Sequence, residues 1–178
     1  SFLDKRKGKL DALSITGGEP LLHKDLDLFI KEVKNRGFLV KLDTNGTFPH
    51  RLKQLLDEKR VDYVSMDVKA PFEKYDRLAG TKVNIDKIKE SIHLIMNKAG
   101  DYEFKTTVIP GLLEKEDIIT IASMIKGAKR YYLQQFKTDV PVINNKLLAV
   151  TKPYKKHDFE EMKKHASSLV GSCLLRGV

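Results

Sequence analysis

Short apolar runs alternate along the chain with longer stretches in which apolar residues recur at helical spacing. The short runs end at turn-forming residues, and the longer stretches place aliphatic or aromatic residues three or four positions apart. This alternation is typical of βα units, in which parallel strands are joined by helices. The predicted strands are residues 10–15, 38–42, 61–66, 102–109 and 130–133, with a short sixth run at residues 173–175.

Helical periodicity between these runs predicts five helices. The first has an apolar face that contains Leu26, Ile30 and Val33, and Gly37 marks its end. Residues 70–82 are predicted to be a polar, turn-rich connection, and residues 138–154 an irregular segment. The predicted helices cover residues 22–33, 52–56, 85–96, 117–125 and 158–169.

The number of units limits the possible architecture. A full eight-unit (β/α) barrel takes about 250 residues, or roughly 31 per unit, so the 178 residues of this chain hold five to six units. A Gly-x-Gly-x-x-Gly turn, typical of doubly wound dinucleotide-binding sheets, does not open the first helix. The sequence therefore predicts the α/β class, with residues 1–178 forming a single domain. Its architecture is a partial, open (β/α)6-type barrel of which about five βα units are present.

Composition narrows the functional classes. The chain has 41% hydrophobic residues, a formal net charge of +9 and one cysteine. One cysteine permits no intrachain disulfide, no four-cysteine zinc site and no iron–sulfur cluster held by this chain alone, so a cytoplasmic protein is expected. No apolar run approaches the roughly 18 residues that a membrane helix needs. The charge is mostly lysine interleaved with acids, and tryptophan is absent, which favours a solvated surface over a nucleic-acid interface.

Polar turns follow the carboxyl ends of the predicted strands, which meet at one rim of a parallel sheet, where α/β proteins bind ligands. After the first strand, Gly17 and Gly18 let the backbone approach a ligand closely, and Glu19 offers a carboxylate to a cationic group. A tight strand-to-helix turn with a surface Glu explains the same residues equally well. The five turns are Gly17-Gly18-Glu19-Pro20, Asp43-Thr44-Asn45-Gly46, Asp67-Val68-Lys69, Pro110-Gly111 and Gln134-Gln135.

Two carboxylates and a lysine stand at neighbouring strand ends. Asp43 and Asp67 are expected to face each other across the rim, where two like charges need a cation, a shared proton or a basic ligand group. Lys69 lies two residues beyond Asp67 and can hold a ligand carboxylate. The alternative is structural: Asp43 caps its own turn, and Asp67 pairs with Lys69. The histidines show no metal-ligand spacing, the methionines are predicted core residues, and Cys173 is a predicted buried hydrophobe.

Three of these segments, in this order and spacing, resemble the strand-end motifs of radical S-adenosylmethionine (SAM) enzymes. They are Thr-Gly-Gly-Glu-Pro at 16–20, Leu-Asp-Thr-Asn-Gly at 42–46 and Met-Asp-Val-Lys at 66–69. With Val-Ile-Pro-Gly at 108–111 and Tyr-Tyr-Leu-Gln-Gln-Phe at 131–136, they most resemble the activating enzymes of glycyl radical enzymes. That group includes the pyruvate formate-lyase and anaerobic ribonucleotide reductase activators. The resemblance covers residues 10–177.

The resemblance implies a role for each matching residue. Glu19 would accept a hydrogen bond from the SAM ammonium, and Lys69 would contact the methionine carboxylate. Asp43 and Asp67 would help to hold a monovalent cation beside that carboxylate. Asn45 would lie toward the nucleoside, and Val108 or Ile109 would pack near adenine. The implied cofactor-binding residues are Gly17, Gly18, Glu19, Pro20, Thr44, Asn45, Lys69, Val108, Ile109 and Gln134.

The resemblance also implies a cluster that this chain does not hold. The family binds a 4Fe-4S cluster with Cys-x-x-x-Cys-x-x-Cys upstream of Gly-Gly-Glu-Pro, and no cysteine precedes Gly17. We therefore expect a fragment, or the ordered part, of a parent enzyme, without its first βα unit and cluster loop. We expect the chain alone to be inactive and to contain no catalytic residue.

The parent would cleave SAM reductively to a 5′-deoxyadenosyl radical and abstract a hydrogen from a glycine Cα of a glycyl radical enzyme. Its electron would come from a flavodoxin-like or ferredoxin-like donor. Three other functions stay open: a radical SAM enzyme acting on a small molecule, such as a 7-carboxy-7-deazaguanine synthase, a noncatalytic SAM-binding domain, and a basic nucleic-acid-binding module. Strongly salt-dependent binding to DNA or RNA would distinguish the last of these.

Overall fold

The computed structural model describes residues 2–136 and 152–178, which form helices, strands and their connections. In chain order the strands are β1 (Ala12–Ile15), β2 (Leu39–Thr44), β3 (Tyr63–Asp67), β4 (Asp101–Val108), β5 (Tyr131–Gln135) and β6 (Cys173–Arg176). The helices are α1 (Leu26–Asn35), α2 (Pro49–Asp57), α3 (Tyr75–Ala79), α4 (Ile85–Lys98), α5 (Lys115–Met124) and α6 (Lys156–Ala166). The contacts divide the chain into two compact units: Ser1–Asp67 with Asn84–Tyr102, and Val68–Val83 with Glu103–Val178.

The first unit contains three parallel strands and helices α1, α2 and α4. Ile15 is the register partner of Leu42, and Leu42 is also the partner of Val64. Val40 and Leu42 are buried on one face of β2, whereas Lys41 and Asp43 on its opposite face are half-buried. The sheet in this unit therefore has one apolar face and one polar face.

Helices α2 and α4 pack against each other in the first unit. Their apolar side chains recur at helical spacing, and four of them, Leu52, Leu55, Ile88 and Ile95, are at most 1% exposed. The side chain of Asn84 caps the start of α4 by accepting from the backbone N–H groups of residues 86 and 87. Packing and capping together fix α4 within this unit.

The second unit contains β5 and β6, most of β4, and helices α3, α5 and α6. Phe104 of β4 is the register partner of Tyr131, and Tyr131 is the partner of Cys173, all in parallel strands. Phe104, Tyr131 and Phe159 are completely buried. Helix α6 contacts both α5 and β6.

All six strand positions predicted from the sequence are confirmed, and no strand end differs from its prediction by more than two residues. Helix α1 begins later than predicted because residues Pro20–Leu22 form a separate turn of 3-10 helix. Helix α5 begins at Lys115 because the Asp117 carboxylate accepts from the backbone N–H of Glu114 at 2.9 Å. An irregular segment was predicted at residues 138–154, and its positions 138–151 lie outside the described residues.

Helix α3 was not predicted, since it lies inside the connection expected to be polar and turn-rich. It has only five residues, too few for a helical period to show, and it ends at Gly80 with φ +70°. Tyr75 at its start is buried and supplies its apolar anchor. None of the helices among residues 2–136 and 152–178 is long and apolar enough to cross a membrane.

Candidate functional site

The turn after β1 presents two glycines and a buried carboxylate. Gly17 and Gly18 have φ values of +102° and +54°, a conformation that favours glycine. A Cβ added at either position would meet no atom within 4 Å, so open space lies beside both. Glu19 is 6% exposed and caps the 3-10 turn that begins at the buried Pro20. The turn therefore combines backbone that a ligand can reach with a fixed negative charge.

Three donors from two strand ends hold the Glu19 carboxylate. Its Oε1 accepts from the backbone N–H of Leu21 at 3.1 Å and from the hydroxyl of Thr44 at 3.0 Å. Its Oε2 accepts from the backbone N–H of Asn45 at 2.6 Å. A carboxylate offers about four acceptor positions, so these donors leave capacity for a further one. The turns after β1 and β2 are thus joined through one side chain.

Side-chain hydrogen bonds also shape the turn after β2. The Thr44 hydroxyl accepts from the N–H of Gly46 at 3.1 Å, and Asn45 Oδ1 accepts from the N–H and the hydroxyl of Thr47 at 2.9 and 2.7 Å. The carbonyl of Gly46 accepts from the Ser91 hydroxyl of α4 at 2.8 Å. Thr44 and Asn45, both predicted to bind the cofactor, therefore have a structural role within this turn.

The register separates the two predicted cation ligands along the sheet. Asp43 is the register partner of Ser65, so Asp67 lies two residues further along β3. The Oδ1 atom of Asp43 lies 3.1 Å from Lys41 Nζ, and this ammonium offsets its charge. The monovalent cation site at Asp43 and Asp67 stays a prediction.

Lys69 lies in the second unit, in a connecting segment whose backbone is held by hydrogen bonds. Val68 donates its N–H to the Lys105 carbonyl at 2.9 Å, and its carbonyl accepts from the Thr106 hydroxyl at 2.6 Å. The N–H of Lys69 donates to the Tyr75 hydroxyl at 3.4 Å. These bonds position the residue predicted to contact the SAM carboxylate.

The other predicted site residues of the second unit are at the carboxyl ends of β4 and β5. Val108 is fully buried, Ile109 after it is half-buried, and Gln134 is the register partner of Thr107. Their location at strand ends agrees with the prediction. The packing of Val108 or Ile109 near adenine and the binding of the cofactor by Gln134 stay predictions.

A cavity of about 270 Å³ adjoins the glycine turn in the first unit. Apolar side chains of Leu26 and Phe29 from α1 form part of its wall, and His23 and Asp25 add polar groups. A ligand could therefore reach Gly17 from this side. The remaining lining residues are Ile15, Thr16 and Pro20.

Arg51, in the first turn of α2, is a functional candidate that the sequence did not suggest. Its Nη1 donates to the carbonyls of Leu21 and His23 at 2.6 and 2.7 Å, and its Nη2 donates to the Asp27 carboxylate at 2.9 Å. An arginine early in an amphipathic helix is an ordinary surface residue by pattern, and its partners lie 24 to 30 residues away in sequence. No local signal could have identified this contact.

The residues described here do not fit a 4Fe-4S cluster. Such clusters need several thiolates, and Cys173 is the one cysteine of the chain. It is buried in β6, and burial raises the pKa of its thiol to about 11. Across residues 2–136 and 152–178, no group of three or more His, Cys, Asp or Glu side chains could hold a metal ion.

Cys173 is expected to resist alkylation in the folded chain. With a thiol pKa of about 11, about one molecule in a thousand would carry the thiolate at pH 8, and access is also blocked. Mass spectrometry after iodoacetamide treatment should find little modification in buffer and complete modification in guanidinium chloride. Rapid alkylation of the folded chain would contradict the burial of this thiol.

Comparison with known proteins decides the family. The model of the Radical SAM superfamily matches residues 2–125. The chain belongs to the radical SAM superfamily. This confirms the resemblance inferred from the strand-end motifs.

Among curated relatives, the radical SAM chain is similar to a Methanocaldococcus jannaschii protein provisionally named a glycyl-radical enzyme activating enzyme. The two are 33% identical over 173 residues, which cover 94% of this chain and 71% of the relative. The chain is also similar, over a shorter stretch, to the 7-carboxy-7-deazaguanine synthase of Methanopyrus kandleri, with 41% identity over 71 residues. That match covers 39% of this chain and 27% of the synthase.

A solved structure confirms the fold class of this radical SAM chain. A domain of the pyruvate-formate lyase-activating enzyme from Bacteroides vulgatus aligns with a TM-score of 0.72 and 15% identity. The alignment covers 93% of this chain and 99% of that domain. The predicted α/β class with the radical SAM partial-barrel architecture is therefore confirmed.

Proposed function

We propose that this radical SAM chain binds SAM through residues 17–20 after β1, which we call the Glu19 turn. We propose further that the intact protein activates a glycyl radical enzyme. The observation that carries the proposal is the Glu19 carboxylate, which three donors hold beside two glycines with open space around them. A fixed carboxylate with spare acceptor capacity suits the ammonium of an amino acid. The similarity to the M. jannaschii relative supports the activating function.

In this proposal the residues of the first unit bind and orient the ligand. Glu19 accepts from the ammonium of SAM, and the backbone of Gly17 and Gly18 lies against its methionine part. Because Glu19 is already held in place, little ordering of the side chain opposes binding. When bound, SAM supplies the 5′-deoxyadenosyl group of the reaction. Lys69 remains the proposed partner of the methionine carboxylate.

The 4Fe-4S cluster of the family has no ligand set among the described residues, so no step through it is assigned to this chain. We propose that cysteines outside these 178 residues hold it in the intact protein. The electron donor, of the flavodoxin or ferredoxin type, and the glycyl radical partner also belong to that proposal. The inactivity of the chain alone stays a prediction, which an assay for 5′-deoxyadenosine would check.

Calorimetry with the 178-residue chain tests the binding step directly. SAM should bind, and removal of its amino group should weaken binding strongly, because the Glu19 contact depends on the ammonium. If the Glu19 contact contributes most of the binding energy, SAM without its carboxylate should bind more tightly than SAM without its amino group. Equal affinity for SAM and its deaminated analogue would overturn the proposed role of the Glu19 turn.

The intact protein tests the activating step. After anaerobic reconstitution of its cluster and reduction, it should release 5′-deoxyadenosine and produce a glycyl radical signal in the electron paramagnetic resonance spectrum of its partner enzyme.

A second candidate function has support from the match to 7-carboxy-7-deazaguanine synthase. Release of 5′-deoxyadenosine with a deazaguanine precursor, without a protein radical, would favour that candidate instead.

A further inference from the structure

Arg51 concentrates its hydrogen bonds on the segment that follows Glu19. Its guanidinium reaches two backbone carbonyls and one carboxylate, all between residues 21 and 27, from the neighbouring helix α2. The side chain is 23% exposed, so these bonds are partly shielded from water. A charged donor in such a place makes stronger hydrogen bonds than a neutral one.

Leu21 links this arginine to Glu19. The N–H of Leu21 donates to Glu19 Oε1 at 3.1 Å, and the carbonyl of Leu21 accepts from Arg51 Nη1 at 2.6 Å. The side chain of Leu21 is 1% exposed and fixes the same residue from the core. A shift of the Leu21 backbone would therefore move one of the three donors that orient the Glu19 carboxylate.

The arrangement requires the geometry of an arginine. One terminal nitrogen of Arg51 serves the carbonyls of Leu21 and His23, and the other serves the Asp27 carboxylate. A planar guanidinium fork holds such acceptors together, whereas a lysine ammonium offers a single nitrogen. The charge alone is therefore insufficient for this contact.

We propose that Arg51 is a positioning residue for ligand binding, which keeps the Glu19 carboxylate oriented by fixing the backbone of residues 21–23. The inference rests on the proposed binding of SAM at the Glu19 turn. It assigns to α2 a role in ligand affinity that its sequence does not show.

The test compares Arg51→Met and Arg51→Lys with Arg36→Met in the full 178-residue chain. Arg36 also bonds to a backbone carbonyl and carboxylates, but its partners are Glu32 and Asp4. Arg51→Met should weaken SAM binding about tenfold, which corresponds to about 1.4 kcal/mol, and Arg51→Lys should give an intermediate affinity. Arg36→Met should keep the wild-type affinity.

The backbone amide proton of Asn45 reports the orientation of the Glu19 carboxylate without any ligand. Its short bond to Glu19 Oε2 should place its NMR resonance downfield, and Arg51→Met should move it upfield while Arg36→Met leaves it in place. A lower melting temperature with unchanged SAM affinity and unchanged Asn45 resonance would overturn the proposal, because Arg51 would then serve stability alone. If wild type binds no SAM, the proposed function fails, and the Asn45 shift still decides whether Arg51 orients Glu19.

Discussion

Replacing Glu19 with alanine is expected to lower the free energy of unfolding by about 3 kcal/mol and to weaken SAM binding roughly 10- to 100-fold. The loss of stability follows because three donors, from Leu21, Thr44 and Asn45, would lose their common acceptor. The loss of affinity follows because the ammonium of SAM would lose its charged partner. Urea denaturation and calorimetry on the same sample measure both effects.

Glu19→Gln separates shape from charge. Glutamine keeps the size of the side chain and one carbonyl oxygen, but its amide group would face an N–H donor where the carboxylate accepts from one. We expect Glu19→Gln to lose less stability than Glu19→Ala. Its affinity for SAM should fall nearly as much as that of Glu19→Ala. Glu32→Ala, on the exposed side of α1, is the matched control and should change neither quantity strongly. Wild-type stability in Glu19→Ala would contradict the hydrogen bonds described for this carboxylate.

The sequence predicted the strands well because their apolar runs and turn residues are local signals. It placed Gly17, Gly18 and Glu19 at the end of β1, where the structure has them. The partners of Glu19 could not be predicted in the same way, because Thr44 and Asn45 lie 25 and 26 residues away in sequence. Strand pairing alone brings these groups together.

The relative position of Asp43 and Asp67, the predicted acidic pair, also depends on strand pairing. Strand-end positions from sequence carry an error of a residue or two, and an offset of two residues moves a carboxylate by roughly 6.6 Å along a strand. The observed register puts Ser65, rather than Asp67, opposite Asp43. The contact of Asp43 with Lys41 is different, because residues two apart on a strand share a face and the spacing alone allowed this pair. The sequence analysis considered only Asp67 opposite Asp43 and so missed it.

Arg176→Met is expected to lower the free energy of unfolding by about 3 kcal/mol, because it removes the cation that faces a buried carboxylate. Arg176 on β6 donates from Nη1 and Nη2 to the two oxygens of Glu103 at 3.1 Å each. Its guanidinium carbon lies 4.0 Å from the ring centroid of Tyr132. The Glu103 side chain is 4% exposed, whereas that of Arg176 is 38% exposed, so solvent screening makes the loss smaller than for a fully buried pair.

The pH dependence of this pair follows from the pKa of Arg176. Hydrogen bonding to Glu103 raises that pKa above the ordinary arginine value. A raised pKa in the folded state means that the arginine contribution is complete at any pH below the unfolded pKa and is lost only as pH rises through the folded one. The cost of Arg176→Met from this term should therefore be equal at pH 7 and pH 9, which urea denaturation at the two values can measure.

A double-mutant cycle with Glu103→Gln distinguishes the ion pair from simple packing. If the cost of Arg176→Met comes from the buried charge, Glu103→Gln in the same chain should recover at least about 1 kcal/mol of it, because a neutral amide replaces the carboxylate. If the cost comes from lost contact between the guanidinium and Tyr132, the two substitutions should add. Lys115→Met removes an exposed pair with Glu161 in the same unit and should cost less than about 1 kcal/mol. An equal cost for Arg176→Met and Lys115→Met would show that the β4–β6 ion pair contributes no more than a surface contact.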